Sequence, residues 1–135
     1  MPKKSGAKIR INSVKEDRNL RRENGWNKMQ LRWLINERSV GSKSGVLGHT
    51  VFPPGASHEA HIHEKAEEYI IITKGRGSQL VGKQTFDVRP GDVVYVPKGT
   101  VHATRNSSKR SNLVLFFAYA GAPTVEKTGY RLAKD

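Results

Sequence analysis

With 135 residues, no cysteine and a formal net charge of +12 at pH 7, the chain has the length of one domain with a single buried core. The lack of cysteine excludes disulfides and thiolate ligands. No stretch approaches the roughly twenty apolar residues of a membrane span, and the start MPKKSGAKIR lacks a secretory signal's apolar run, which makes a cytoplasmic location the expectation.

Residues 1–25 hold eight Lys or Arg against three acids, Glu16, Asp17 and Glu23, with no clear apolar period, and read as a basic, partly disordered arm. Residues 26–135 read as one domain. Met29, Leu31, Trp33 and Ile35 alternate with polar neighbours, with Leu34 the exception, as on an edge or interface strand. The stretch 46–52 is a second strand, with His49 on the face of Leu47 and Val51, and Pro53-Pro54-Gly55 turns the chain onward. The β-branched and aromatic run 69–73 predicts a buried strand with Glu68 at its start. Gly75, in the turn KGRG, ends it, and 78–81 is expected to return as its partner. Residues 92–96 form another apolar strand, Pro97-Lys98-Gly99 a turn, and His102 begins the next strand. The run 113–119 is the last, before Gly121-Ala122-Pro123 and a polar tail. Many short strands, no long helix and no internal repeat predict an all-β domain.

His61 and His63 are two apart, so on an extended strand both side chains leave one face and can reach one ion. A helix would separate them. With His102 and Glu68 they make a set of three imidazoles and one carboxylate, which suits one divalent transition metal: Mn, Fe, Ni, Zn, Co or Cu. Glu67 and Glu68 alternate faces, and Glu67 reads as a solvated charge. His58, three residues before His61, falls on the opposite face of a regular strand.

Gly55, His61, His63, Glu68 and Gly75 fit G-x5-H-x-H-x4-E-x6-G, and Gly91, Pro97, Gly99, His102 and Asn106 fit G-x5-P-x-G-x2-H-x3-N, ten positions in all, with a spacer of fifteen residues between Gly75 and Gly91. In these motifs the chain resembles the cupin superfamily, over about residues 41–120. The resemblance implies a single cupin barrel (a double-stranded β-helix, or jelly roll) with His61, His63, Glu68 and His102 on one metal ion. Only Glu68 leaves the six residues before Gly75 that the motif requires, which favours it over Glu67.

A four-ligand site on a six-coordinate ion leaves two positions for a small oxygen-bearing substrate, or for substrate plus dioxygen. The expectation is a metal-dependent enzyme of dioxygenase type, with Glu68 as the catalytic ligand and Glu67 or His49 as candidates for proton transfer. The alternatives are a non-redox lyase, isomerase or decarboxylase, and a non-catalytic small-ligand module. Ile70, Ile72, Val114, Phe116 and Tyr95 are candidate pocket walls, with Gln30, Arg32 or Arg105 as polar anchors. The positive charge favours an anionic substrate. It is spread without a dense cluster, and aromatics are few, so nucleic acid is not an expected partner. A homodimer is expected, built from residues 26–35 and the arm, because an apolar edge strand is costly to expose.

Overall fold

The computed structural model describes residues 6–133. In chain order its strands are β1 (Trp26–Asn27), β2 (Gln30–Ile35), β3 (Gly45–Phe52), β4 (Ser57–His63), β5 (Glu67–Lys74), β6 (Gly77–Val81), β7 (Gln84–Val88), β8 (Val93–Val96), β9 (His102–Arg105), β10 (Leu113–Ala120) and β11 (Tyr130–Leu132), with a one-turn helix α1 (Glu37–Val40) after β2. They form two antiparallel sheets, one ordered β1-β4-β9-β6-β7 with β11 also on β4, the other β2-β3-β10-β5-β8. This is the all-β double-stranded β-helix that the resemblance implies, built from two facing sheets rather than one closed sheet.

Period-two alternation decides what each strand puts between the sheets. β3 turns Val46, Gly48, Thr50 and Phe52 inward, β10 turns Leu113, Leu115, Phe117 and Tyr119, and β5 turns Glu68, Ile70 and Ile72. Burial of each large apolar side chain contributes about 1.5–3 kcal/mol. Gly48 lies opposite Phe117 in the β3–β10 register, and a methyl group there would strike the Phe117 ring.

Three expectations about the strands change. Residues 26–35 do not form one strand: Lys28, at φ 60°, carries the chain from β1 in one sheet to β2 in the other. A bulge between Trp33 and Ile35 then turns Leu34 inward and leaves Ile35 outward, which resolves the exception in the alternation. The run 78–81 is not the partner of β5, since β6 pairs with β7 and β9 in the opposite sheet. Gly75 makes that crossing with φ +80°, and a Cβ there would collide with the Asn112 carbonyl oxygen. Gly75→Ala is therefore expected to cost about 1–3 kcal/mol through backbone strain alone. A lowered urea midpoint checks this, and an unchanged midpoint would contradict it.

The second motif ends on a buried clamp. Asn106 donates from Nδ2 to the carbonyls of Phe52 and Ser111, both at 2.8 Å, and accepts at Oδ1 from the Ser108 N–H at 3.0 Å. Residues 1–5 of the arm lie outside the described residues. The rest of it packs on its own domain. The Asp17 N–H donates to the Leu31 carbonyl at 2.8 Å, Arg32 Nε to the Val14 carbonyl at 3.0 Å, and Trp33 Nε1 to Asp17 Oδ2 at 2.8 Å. Met29 and Leu31 are buried in the domain's own core, so neither is an exposed edge residue.

Candidate metal centre

His61 and His63 stand on β4, His102 opens β9, and Glu68 reaches across from β5 in the facing sheet. All four are buried, and one ligand atom from each lies within 4.8 Å of the others. The β4–β9 register sets His61 against His102, while alternation along β5 sends Glu68 inward and Glu67 outward.

The tautomers of the three imidazoles follow from their partners. His61 donates its Nδ1–H to the Glu59 carbonyl at 2.7 Å and His102 its Nδ1–H to the Thr100 carbonyl at 2.9 Å, because a carbonyl oxygen can only accept. The Thr128 hydroxyl donates to the Val125 carbonyl, so it accepts from His63 Nδ1–H at 2.7 Å. Every Nε2 therefore points its lone pair inward. There they meet Glu68 Oε1, 2.9 Å from His102 Nε2 and 3.2 Å from His63 Nε2, and the His63 contact joins two acceptors rather than a donor and an acceptor. Nε2 of His61 and of His63 is buried with no hydrogen-bond donor facing it. Four inward acceptors call for a cation, and the residues present fit a divalent metal ion.

The charges agree with this geometry. Burial would raise Glu68, but the imidazoles of His102 and His63 beside it act the other way and prevail, holding it far below the usual carboxylate range. Burial pushes His102 down, but its bond to Glu68 prevails and raises it, so that a proton on His102 can stand where the ion would be. Burial and the neighbouring imidazoles push His61 and His58 well down.

Several residues outside the motifs complete the site. A bulge between His58 and His61 reverses the expected parity of β4, so His58 shares the inward face. It stacks on His61 with ring centroids 3.6 Å apart and on Trp26 at 4.0 Å. Tyr130 donates its hydroxyl to the Asn24 carbonyl and accepts from His58 Nε2–H at 3.0 Å. Its ring lies 5.2 Å from His61 and 5.5 Å from His63. Thr128 and Tyr130 belong to the stretch that reads as a polar tail, but β11 pairs with β4 and brings Tyr130 opposite His63. No local signal in the sequence marks that return. Thr128→Val is expected to weaken metal binding about 10–100-fold by releasing His63 Nδ1, with Thr128→Ser close to the parent. Competition with a chromogenic chelator checks both.

Other candidates lie elsewhere. His49 faces outward from β3 against Phe116. Glu67 accepts hydrogen bonds from the Tyr69 hydroxyl at 2.7 Å and the Tyr95 hydroxyl at 2.6 Å on the outer face of β5 and β8, and neither His49 nor Glu67 can serve the metal centre. Val114, Phe116 and Tyr95 also point outward, whereas Ile70 and Ile72 point inward as expected. Gln30 and Arg105 are exposed, and Arg32 is held by the Val14 carbonyl, so none is a polar anchor. The parity of β8 and β10 is set by register across the sheet, which local pattern does not encode. Among the described residues no helix is long and apolar enough to cross a membrane.

Comparison with known proteins agrees with this architecture. A family model described as a cupin domain matches residues 48–119, more than half of the chain, and the chain belongs to the cupin family. It is 28% identical to polyketide synthase CurC of Streptomyces cyaneus over 84% of this chain and 71% of that protein. Among solved structures it is similar to the polyketide cyclase RemF from Streptomyces resistomycificus, with TM-score 0.75, 22% identity, and 96% and 86% of the two chains covered. A predicted oxalate decarboxylase from Thermotoga maritima aligns with TM-score 0.75 and 20% identity over 85% and 99% of the two chains. At these identities the structures establish the fold.

Proposed function

We propose that the chain is a metal-dependent enzyme acting on a small, enolisable, oxygen-rich molecule of the polyketide kind, with the ion on His61, His63, Glu68 and His102. The observation that carries this reading is the convergence of three imidazole lone pairs and one carboxylate in a buried pocket, each Nδ1–H held by an oxygen acceptor. A bound divalent ion supplies Lewis acidity toward a carbonyl or enolate oxygen, and Mn or Fe adds redox chemistry with dioxygen. Glu68, the candidate catalytic residue, keeps its negative charge at working pH beside the three imidazoles. Ile70, Leu115 and Phe117 keep water away from it. The net positive charge of +12 favours an anionic or enolate form of the substrate.

Similarity to CurC and RemF along most of the chain supports non-redox chemistry, such as ring closure of a polycarbonyl compound. Oxygen-dependent cleavage is the second reading, favoured by a nitrogen and oxygen donor set that suits Mn and Fe. The test is elemental analysis of untagged protein, followed by a turnover screen on polycarbonyl compounds, catechols and 2-oxo acids in air and under nitrogen. Turnover under nitrogen supports the first reading and a strict need for oxygen the second. A full equivalent of metal with no turnover supports a binding module.

A homodimer is proposed on a different surface from the one residues 26–35 suggest. Tyr69, Ile71, Val93 and Tyr95 form an exposed apolar face on β5 and the edge strand β8. Light scattering should give a dimer mass that falls to the monomer's in Ile71→Lys with Val93→Lys; a monomeric parent would remove the proposal.

A further inference from the structure

Outside the metal centre lies a cleft of about 1030 Å³ between the arm, α1 and the C-terminal segment. Its volume is well beyond what a two-carbon diacid would fill and at the upper end of the range for small-molecule sites. Both tryptophans of the chain, Trp26 and Trp33, line it together with Tyr130. Its charges are unequal. Arg21, Arg38 and Arg131 line the cleft against the carboxylates of Asp17 and Glu126. Asp17 is taken by the Trp33 indole N–H, and Glu126 lies 3.4 Å from Arg38. Arg21 and Arg131 contact Glu23 at 3.7 Å and Glu64 at 3.8 Å, long and exposed pairs whose acids stand outside the lining. The cleft thus keeps two cations, Arg21 and Arg131, whose carboxylate partners stand outside its walls.

The cleft also abuts the metal centre. Trp26 and Tyr130 line it and at the same time flank the stacked His58 and His61, and the Tyr130 ring is 5.2 Å from His61. One aromatic layer separates the two spaces.

We infer that this cleft is a binding subsite for a planar, multi-ring aromatic anion, with the rings against Trp26, Trp33 and Tyr130 and the acid group toward Arg21 and Arg131. The inference rests on the proposed function for its meaning as the outer part of the substrate site, but binding in the cleft needs no metal and can be read separately. Aromatic stacking and a guanidinium–carboxylate pair each favour such a ligand over a neutral ring system or a small diacid.

The probe is anthraquinone-2-carboxylate, titrated into metal-free and metal-loaded protein with the intrinsic tryptophan fluorescence followed. Saturable quenching is expected in both forms, with oxalate giving none and uncharged anthraquinone-2-carboxamide binding about tenfold more weakly. Arg21→Gln with Arg131→Gln, both on exposed side chains, should weaken the anion about tenfold and leave the amide unchanged, with one equivalent of metal retained. Trp33→Phe, which keeps an aromatic wall, should still bind and report through Trp26 alone. Equal affinity for acid and amide, an unaffected double variant, or no saturation up to about 1 mM would overturn the subsite. Failure of the metal or turnover measurements with intact quenching would instead count against the proposed reaction.

Discussion

Replacing His61 and His102 together by alanine is expected to abolish stoichiometric binding of a divalent ion. Each imidazole presents an Nε2 lone pair whose direction is locked by an Nδ1–H bond to a backbone carbonyl, of Glu59 and of Thr100. Removing both leaves only His63 and Glu68, and two ligands on adjacent elements cannot enclose an ion. Affinity should fall by more than the about 10–100-fold typical of losing an outer partner such as Thr128. Metal analysis after gel filtration reads the outcome. A full equivalent retained by the double variant would place the ion elsewhere. The fold should survive, since both residues contribute more to the site than to the apolar cluster of Leu31, Phe52, Ile70, Ile72, Leu113 and Phe117.

Metal-free protein is expected to lose stability as pH falls below about 6.5, the unfolded histidine value. Burial keeps His58 and His61 neutral in the fold, with values well below that of a free imidazole. A depressed folded value means that the unfolded chain binds the extra protons, so stability is present above the unfolded value and is lost as pH drops toward the folded one. The slope approaches about 1.4 kcal/mol per pH unit for each of the two histidines. Glu68, also depressed, adds a further loss at lower pH, below the usual carboxylate range. His102 acts in the opposite sense: its raised value favours the protonated fold, and that contribution disappears as pH rises through it. Two losses outweigh one gain between pH 6.5 and 5. Urea midpoints across that range on chelator-treated protein provide the measurement, and a flat profile would contradict it. Added metal should raise the curve more as pH rises, because fewer protons then compete for the ligating nitrogens.

The His/Glu cluster was legible in the sequence because short spacing marks His61, His63 and Glu68 and the second family motif marks His102. The two-residue step from His61 to His63 places both on one face of β4, and the odd step from Glu67 to Glu68 selects one carboxylate. The turn glycines are legible on the same grounds, as they answer local backbone demands, whereas Asn106, whose clamp reaches Phe52, was marked by the family motif alone. The family motifs carried the rest of the fold class. Other features were decided by contacts between segments distant in the chain. The bulge that turns His58 inward arises where β4 meets β9, and a one-residue shift reverses every side chain beyond it. The outward parity of Tyr95, Val114 and Phe116 follows from how β8 and β10 register against β5. Thr128 and Tyr130 reach the histidines only because β11 returns to β4 from the end of the chain, and the arm covers β2 through Asp17. Local periodicity reports which residues share a face; which face is buried, and what stands against it, is set when strands pair across the fold.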